Sequence, residues 1–285
     1  MRASATSTLL TRVARYANSA RLFPFLTAAA ALAACSEPTA PPAASTDVQA
    51  ALSASASAQF ISFSNVYYWS QGDPPTYMGA NGTFGIKRVC FLTRVSGRFT
   101  SYNESVRIYL VGKDWYLSGS SSTGGIGAAA RCMAVLDYSQ EYMRLSGQST
   151  VLNQGNTRMC FLTGLGGQLA DGDMVGLTAP VPGFPPKWQV WAYGASGSSN
   201  DLWVGARCAR PLDGAANIVT TIGWLGGPPI PLTSSNGKVC MLRALTGPFD
   251  NSAAYGHVFT LFNEWWISGG NTSVEASVYP GCFSG

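Results

Sequence analysis

Residues 88–99 read RVCFLTRVSGRF, residues 158–169 read RMCFLTGLGGQL, and residues 238–249 read KVCMLRALTGPF. These are three copies of one motif. A cation stands two residues before the cysteine (Arg88, Arg158, Lys238). Leu follows two residues after it (Leu92, Leu162, Leu242), and an aliphatic residue five after it (Val95, Leu165, Leu245). Gly comes seven after it (Gly97, Gly167, Gly247), and Phe or Leu nine after it (Phe99, Leu169, Phe249). Each motif cysteine, Cys90, Cys160 or Cys240, has a second cysteine downstream: Cys132, Cys208 or Cys282. A Trp lies 17 residues before each closing cysteine, at Trp115, Trp191 and Trp265. The chain is three tandem Cys…Trp…Cys units.

Working outward, short apolar runs bounded by Gly, Ser and Asn predict strands. In the first unit they fall at 89–95, 106–111, 115–117 and 128–135. In the third they fall at 239–245, 258–262, 265–267 and 273–279. One more strand is expected before each first cysteine, at 60–69, 142–145 and 218–225. That gives about five strands per unit and a period of about 70–80 residues. Ala128-Ala129-Ala130 alone suits a helix, but the corresponding 202–206 run, LWVGA, argues for a strand there.

Only short connections separate the units, and Val89-Cys90-Phe91-Leu92 reads as a strand buried on both faces. Residues 59–285 are therefore expected to form one all-β domain of three repeats, 59–139, 140–213 and 214–285. The repeats should pack directly on one another with pseudo-threefold symmetry, β-prism-like or three-bladed propeller-like. Three separate open sandwiches are the alternative. The repeated Trp is expected in the core beside the cysteines, and the repeated Gly in turns that need positive φ.

The repeat favours disulfides inside each unit, Cys90–Cys132, Cys160–Cys208 and Cys240–Cys282, although sequence alone allows other connectivities. Each bridge would constrain the unfolded chain by roughly 4 kcal/mol. Structural zinc is the rival reading. It needs closely spaced Cys or His ligands, and the chain has isolated cysteine pairs and one histidine. No metal and no cofactor are expected.

The N-terminus reads as an export signal over residues 1–34. Arg2, Arg12, Arg15 and Arg21 precede the apolar stretch 22–34, which is too short to span a bilayer and suits a signal h-region. It ends in Leu32-Ala33-Ala34-Cys35, which resembles the lipobox of bacterial lipoprotein precursors. The resemblance implies cleavage before Cys35, diacylglycerol on its sulfur and a further acyl group on the new N-terminus. Ser36 then implies sorting to the outer membrane. Cys35 is also the odd cysteine of seven. Residues 35–58, with Pro38, Pro41 and Pro42 among Ala, Ser and Thr, read as a lipid-anchored flexible tether with a reach of roughly 25 Å.

Lys+Arg total 18 and Asp+Glu 14. Loss of the four signal arginines leaves 14 against 14, so the mature chain is formally neutral. Nucleic-acid binding lacks its basic footprint, and a polybasic membrane patch is absent too.

Catalytic signatures are sparse. His257 is the single histidine, and Tyr255-Gly256-His257-Val258-Phe259 reads as the entry to a strand. Neither a Gly-x-Ser-x-Gly elbow nor a His-Glu-x-x-His motif occurs. A glycosidase would need a pair of carboxylates. Glu104, Asp114, Asp171, Asp173, Asp250 and Glu264 are available, and no pair is marked out. Asp171-Gly172-Asp173 reads as a solvated turn.

Features unique to one repeat point to ligands better than shared ones do. Phe184 and Trp188 lie in or beside a proline-rich insertion of the second unit, and Tyr68, Trp69 and Tyr77 cluster in the first. Aromatics on turns can stack on sugar faces or anchor a protein partner. Arg88, Arg158 and Lys238 could converge on an anion if the units close around an axis. Otherwise they guard strand edges.

The sequence thus points to a lipid-anchored outer-membrane or cell-surface protein that binds glycan or a protein partner through aromatic loops. A carboxylate-based glycoside hydrolase and a purely structural envelope protein are the alternatives. Cys35→Ser should abolish incorporation of a lipid label and release the chain from the membrane fraction. Unchanged labelling and fractionation would exclude the lipoprotein reading.

Overall fold

The computed structural model describes residues 63–82, 85–152, 157–178, 187–194, 201–212, 217–220, 222–270 and 276–284. All lie in the compact unit Leu52–Gly285, and their regular structure is entirely strand. The first unit supplies β1 (Tyr67–Ser70), β2 (Thr76–Ala80), β3 (Lys87–Ser96), β4 (Ser105–Val111), β5 (Asp114–Ser120) and β6 (Gly127–Val135). The second supplies β8 (Tyr142–Leu145), β9 (Ser149–Leu152), β10 (Met159–Gly166), β11 (Met174–Thr178), β12 (Trp188–Tyr193) and β13 (Trp203–Arg210), together with β7 (Asp137–Tyr138), which the boundary at 139 gives to the first unit but which pairs with β13. The third supplies β14 (Asn217–Thr220), β15 (Ile230–Ser234), β16 (Lys238–Thr246), β17 (Tyr255–Leu261), β18 (Glu264–Gly270) and β19 (Ser277–Ser284).

No sheet belongs to one unit. The first runs β1-β6-β3-β17-β18-β15, the second β2-β5-β4-β10-β13-β7 with β8 also on β13, and the third β14-β19-β16-β11-β12-β9. Each unit gives its cysteine hairpin to one sheet and its β4–β5-type hairpin to another. The exchange is cyclic: β4 joins β10, β11 joins β16, and β17 joins β3. Separate sandwiches are thereby ruled out. Three of the strands that sequence reading did not name, β2, β9 and β15, edge the donated hairpins. Their pairing partners are far along the chain, so no local pattern marks them.

A β-bulge explains the motif's spacing. Leu92 and Val95 are three residues apart, which would place them on opposite faces of a regular strand. The register shifts between Leu92 and Arg94, so Cys90, Leu92 and Val95 lie opposite Cys132, Ala130 and Ala128 on one face. The same shift occurs between Leu162 and Gly164 and between Leu242 and Ala244. The third bulge also accommodates Pro280, which pairs with Leu242 in β19. A proline has no N–H to give to a ladder, and bulges are where strands tolerate it. The 273–279 expectation stopped short there, whereas the strand runs on through Cys282 to Ser284.

Cys90 faces Cys132, Cys160 faces Cys208 and Cys240 faces Cys282 across their ladders, and each pair is bonded. The zinc reading is overturned by these bonds.

Past each motif strand, the repeated glycine turns the chain inward with φ of 104°, 94° and 82° at Gly97, Gly167 and Gly247. A Cβ on Gly97 would sit 1.9 Å from the Gly125 carbonyl oxygen, so the position excludes other residues. Gly97 N–H donates to Ala254 O, Gly167 N–H to Glu104 O and Gly247 N–H to Asp173 O, each time crossing units. Two residues on, the bonds close a ring. Phe99 N–H donates to Phe249 O (2.6 Å), Phe249 N–H to Leu169 O (2.9 Å), and Leu169 N–H to Phe99 O (2.8 Å). The three side chains are buried, and the Phe99 and Phe249 rings meet edge to face at 6.2 Å.

The shared Trp is core, but the second unit's Trp is not Trp191. Trp115, Trp188 and Trp265 are fully buried, and their indole N–H groups donate to Arg88 O, Arg158 O and Lys238 O at 2.9, 3.1 and 3.0 Å. Each bond ties the two sheets that its unit spans. The second cysteine pair is 48 residues apart against 42. The six extra residues divide evenly on either side of Trp188, so counting back from Cys208 lands on the wrong indole. Trp191 sits on the other face of β12, half-buried, donating to Thr178 Oγ1.

Trp115→Phe should cost about 1–3 kcal/mol, because it leaves the part-buried Arg88 carbonyl without its indole donor. Urea unfolding of the variant against the parent measures this, and an unchanged midpoint would deny the indole its stapling role.

Candidate functional site

The inner faces are spent on packing, so ligand chemistry falls to the outer faces. On the second sheet Met78, Trp115, Leu117 and Ile108 point in and are buried. Strand alternation then turns Tyr77, Tyr116 and Tyr109 outward. These three lie in register across β2, β5 and β4. Their ring centroids are 5.7 Å apart (Tyr77–Tyr116) and 6.0 Å apart (Tyr109–Tyr116), the second pair inclined by only 25°. Tyr77 is 54% exposed. Asp114 and Val111 form the next cross-strand pair on one side of this ladder, and Ser118 and Arg107 the pair on the other. The Tyr77 ring is tilted by 57° from that of Tyr116, so the result is a strip of two near-parallel rings and a third inclined to them, with charged groups at its rim. Such a surface takes the apolar C–H face of a pyranose while its hydroxyls find hydrogen bonds at the edge.

Tyr77 was within reach of sequence reasoning, whereas Tyr109 and Tyr116 were missed. The signal was present: closing a hairpin about Gly112-Lys113 pairs Leu110 with Trp115 and hence Tyr109 with Tyr116. Addition of Tyr77 needs the long-range β2–β5 pairing.

The same register recurs on the first sheet with different residues. Phe259 pairs with Trp266, and Trp266 with Pro231. The His257 ring stacks on Phe259 at 4.9 Å. On the third sheet the register holds Thr178, Gln189 and Val151, and the ladder is lost.

The other sequence-derived candidates divide. Tyr68 is 60% exposed on the outer face of the first sheet. It lies in a cross-strand row with Ala129, Arg94, His257 and Ser268. Trp69 is not a ligand platform: it is buried, its indole donates to Asp73 O, and Gly119 lies against its ring. Trp188 likewise is buried as the second unit's core Trp. Phe184 and Cys35 lie outside the described residues.

Arg88, Arg158 and Lys238 are held by separate partners rather than by a common centre. Arg88 donates to Tyr67 Oη, Arg158 pairs with Asp137 at 2.7 Å, and Lys238 donates to Thr233 Oγ1. Arg88 and Lys87 line an open depression of about 360 Å³ with Phe63, Ile86 and Met133.

Three of the acids are committed internally. Glu104 is buried. Burial raises its pKa, but hydrogen bonds from Ser101, Ser122 and Thr123 and from the Ser122 N–H bring it below the ordinary carboxylate value. Glu141 pairs with Arg107 and accepts from Thr163 Oγ1. Asp173 is buried in its own turn, accepting from Ala170 N–H. Among the described residues no cluster of His, Cys, Asp and Glu could hold a metal ion.

No protein-family model matches the chain, and no curated protein matches it.

His257 is held neutral. Burial, then the charges of Arg94 and Arg131, lower its pKa to about 4 from 6.5. In the window between those values the unfolded chain binds a proton that the folded chain refuses. Stability should therefore fall as pH drops through that window, and be insensitive to this group above it. His257→Gln should flatten the change in urea midpoint between about pH 7.5 and about pH 5. An unaltered slope in the variant would contradict the assignment.

Proposed function

We propose that the chain is a lipid-anchored envelope protein of the outer membrane or cell surface that binds glycan on the outer faces of its sheets. The tyrosine ladder Tyr77–Tyr116–Tyr109 carries this reading, because its rings are contiguous, outward and unused by the core. Its partial repetition as Phe259 and Trp266 on another sheet supports it, since a repeated scaffold then offers related platforms at more than one site. The cyclic strand exchange and the Phe99–Leu169–Phe249 ring support a closed, pseudo-threefold arrangement of the three sheets, prism-like rather than propeller-like. In that arrangement the three outer faces look in three directions. The export signal and Cys35 supply the anchor, with the 35–58 segment as tether.

Hydrolysis fits less well. Two carboxylates must flank a scissile bond, whereas Asp114 is the one acid in the cross-strand pairs bordering the ladder. Glu104 and Glu141 are tied into hydrogen bonds and an ion pair.

A glycan array tests the reading. The chain should retain a defined set of oligosaccharides, and Tyr116→Ala should weaken retention by roughly tenfold, as for a central aromatic contact. Binding indifferent to Tyr116→Ala would remove the ladder. An empty array together with protein partners recovered by crosslinking would remove the glycan.

A further inference from the structure

The first two sheets carry matching positions, filled by the chain's own carboxylate in one and by none in the other. Ser64 and Ser139 fix the correspondence. Each gives its N–H to the carbonyl of a closing cysteine, Cys132 or Cys208, and takes that cysteine's N–H on its Oγ. Phe63 thus corresponds to Tyr138, Val66 to Glu141 and Tyr68 to Met143. Thr93 and Thr163 sit alike at the bulge three residues after a motif cysteine. Arg131 and Arg207 sit alike just before the closing cysteine. Each guanidinium stacks on aromatic rings, Arg131 on Phe63 and Trp265, Arg207 on Tyr138 and Trp115. His257 and Arg107 occupy one place on the incoming hairpins, opposite Arg94 and Gly164.

On the second sheet these positions are filled from within. The Glu141 carboxylate pairs with Arg107, accepts from Thr163 Oγ1 at 2.8 Å, and acts electrostatically on Arg207. On the first sheet the residue at that place is Val66, and no carboxylate enters. Thr93 is 1% exposed, and its Oγ1, the counterpart of the hydroxyl that holds Glu141, is buried without a partner. Arg94 Nε is likewise buried and unpartnered. Arg94 adds a guanidinium where the second sheet has Gly164, and stacks on Tyr255 at 5.4 Å. Arg131 donates to Thr260 Oγ1. Among the described residues no ion pair includes either arginine. Arg94, Arg131 and Thr93 thus bring two guanidiniums and a buried hydroxyl beside aromatic rings, with no carboxylate paired to them among the described residues.

We propose that this outer face of the first sheet binds a carboxylate from outside the chain, that of a uronic acid in an acidic glycan. Arg94 and Arg131 take the carboxylate, for which the guanidinium fork is suited. Tyr68, Tyr255 and Phe259 stand beside them to stack on the sugar ring. A carboxylate is chosen over other anions because the matching position already accepts one. The sugar half rests on the glycan reading above; the carboxylate half rests on the comparison of the two sheets alone.

His257 provides the readout, being the single histidine of the chain and lying opposite Arg94. The full chain is titrated by NMR through the His257 ring protons, in sodium glucuronate, sodium acetate, glucose or sodium chloride at matched ionic strength. Glucuronate should raise the His257 titration midpoint, because the bound anion offsets the two arginines, and should do so at a lower concentration of ionised carboxylate than acetate. Glucose and chloride should leave it in place. Arg94→Gln should weaken the glucuronate response about tenfold. Val66→Glu should supply an internal carboxylate, as Glu141 does, and abolish the response. A glucuronate effect no larger than chloride's, or one undiminished in Arg94→Gln or in a folded Val66→Glu, would overturn the proposal. Equal potency of acetate and glucuronate, each counted as ionised carboxylate, would overturn its sugar half. Tyr116→Ala on the second sheet should leave the His257 response intact, which keeps this test separate from that of the ladder.

Discussion

Three backbone N–H groups, at Phe99, Leu169 and Phe249, each donate to the carbonyl of another member of the same trio. The ring is buried, so none of these groups can turn to water, and each unit's donor is satisfied only if the next unit is present. The left-handed glycines two residues earlier deliver the chain to it and make their own bonds across the same boundaries. Around this closure the rest of the fold follows. A hairpin that leaves its own unit pairs with the next unit's motif strand, and a buried indole reaches back to tie the hairpin to the sheet that it left.

Inside, the units are held alike; outside, they are not. Motif cysteines, bulges, inward aliphatics and the indole bond recur in all three. The outward register of the donated hairpin carries Tyr109 and Tyr116 in one unit, Thr178 and Gln189 in the second, and Phe259 and Trp266 in the third. Packing constrains the inward residues to near identity, because an inward change would leave a void or a clash. Outward residues meet no such demand. One chain can therefore hold a neutral aromatic strip, a cationic aromatic face and a plain sheet on a single frame.

The sequence discloses the inside better than the outside. Cysteine pairing, strand class and positive-φ glycines followed from repetition, because each repeats a structural need. The Trp of the second unit was misassigned since an offset from one cysteine assumes that insertions fall on one side only; those around Trp188 fall on both. Trp69 read as displayed because its neighbours are tyrosines, yet alternation puts Tyr68 out and Trp69 in. The cationic face was invisible. Arg94, Arg131 and His257 come from three strands, and His257 reaches them only through the exchange between the first and last units. Repetition in sequence reports what units share, whereas this face is assembled from what they do not.

The exchange also fixes the order in which the molecule can be completed. Strand β3, ending at Ser96, meets β17, beginning at Tyr255, so the first sheet stays unfinished until the third unit's hairpin has been delivered. A chain emerging N-terminus first would hold an open sheet edge throughout that interval, and such edges recruit strands from any neighbour. The β17–β18 hairpin of a second molecule would fit it as well as the chain's own. Dense crowding of half-emerged copies should therefore favour interlocked dimers, each closing the other's first sheet. A chain that arrives entire before it folds has its own β17–β18 hairpin at hand to complete that sheet.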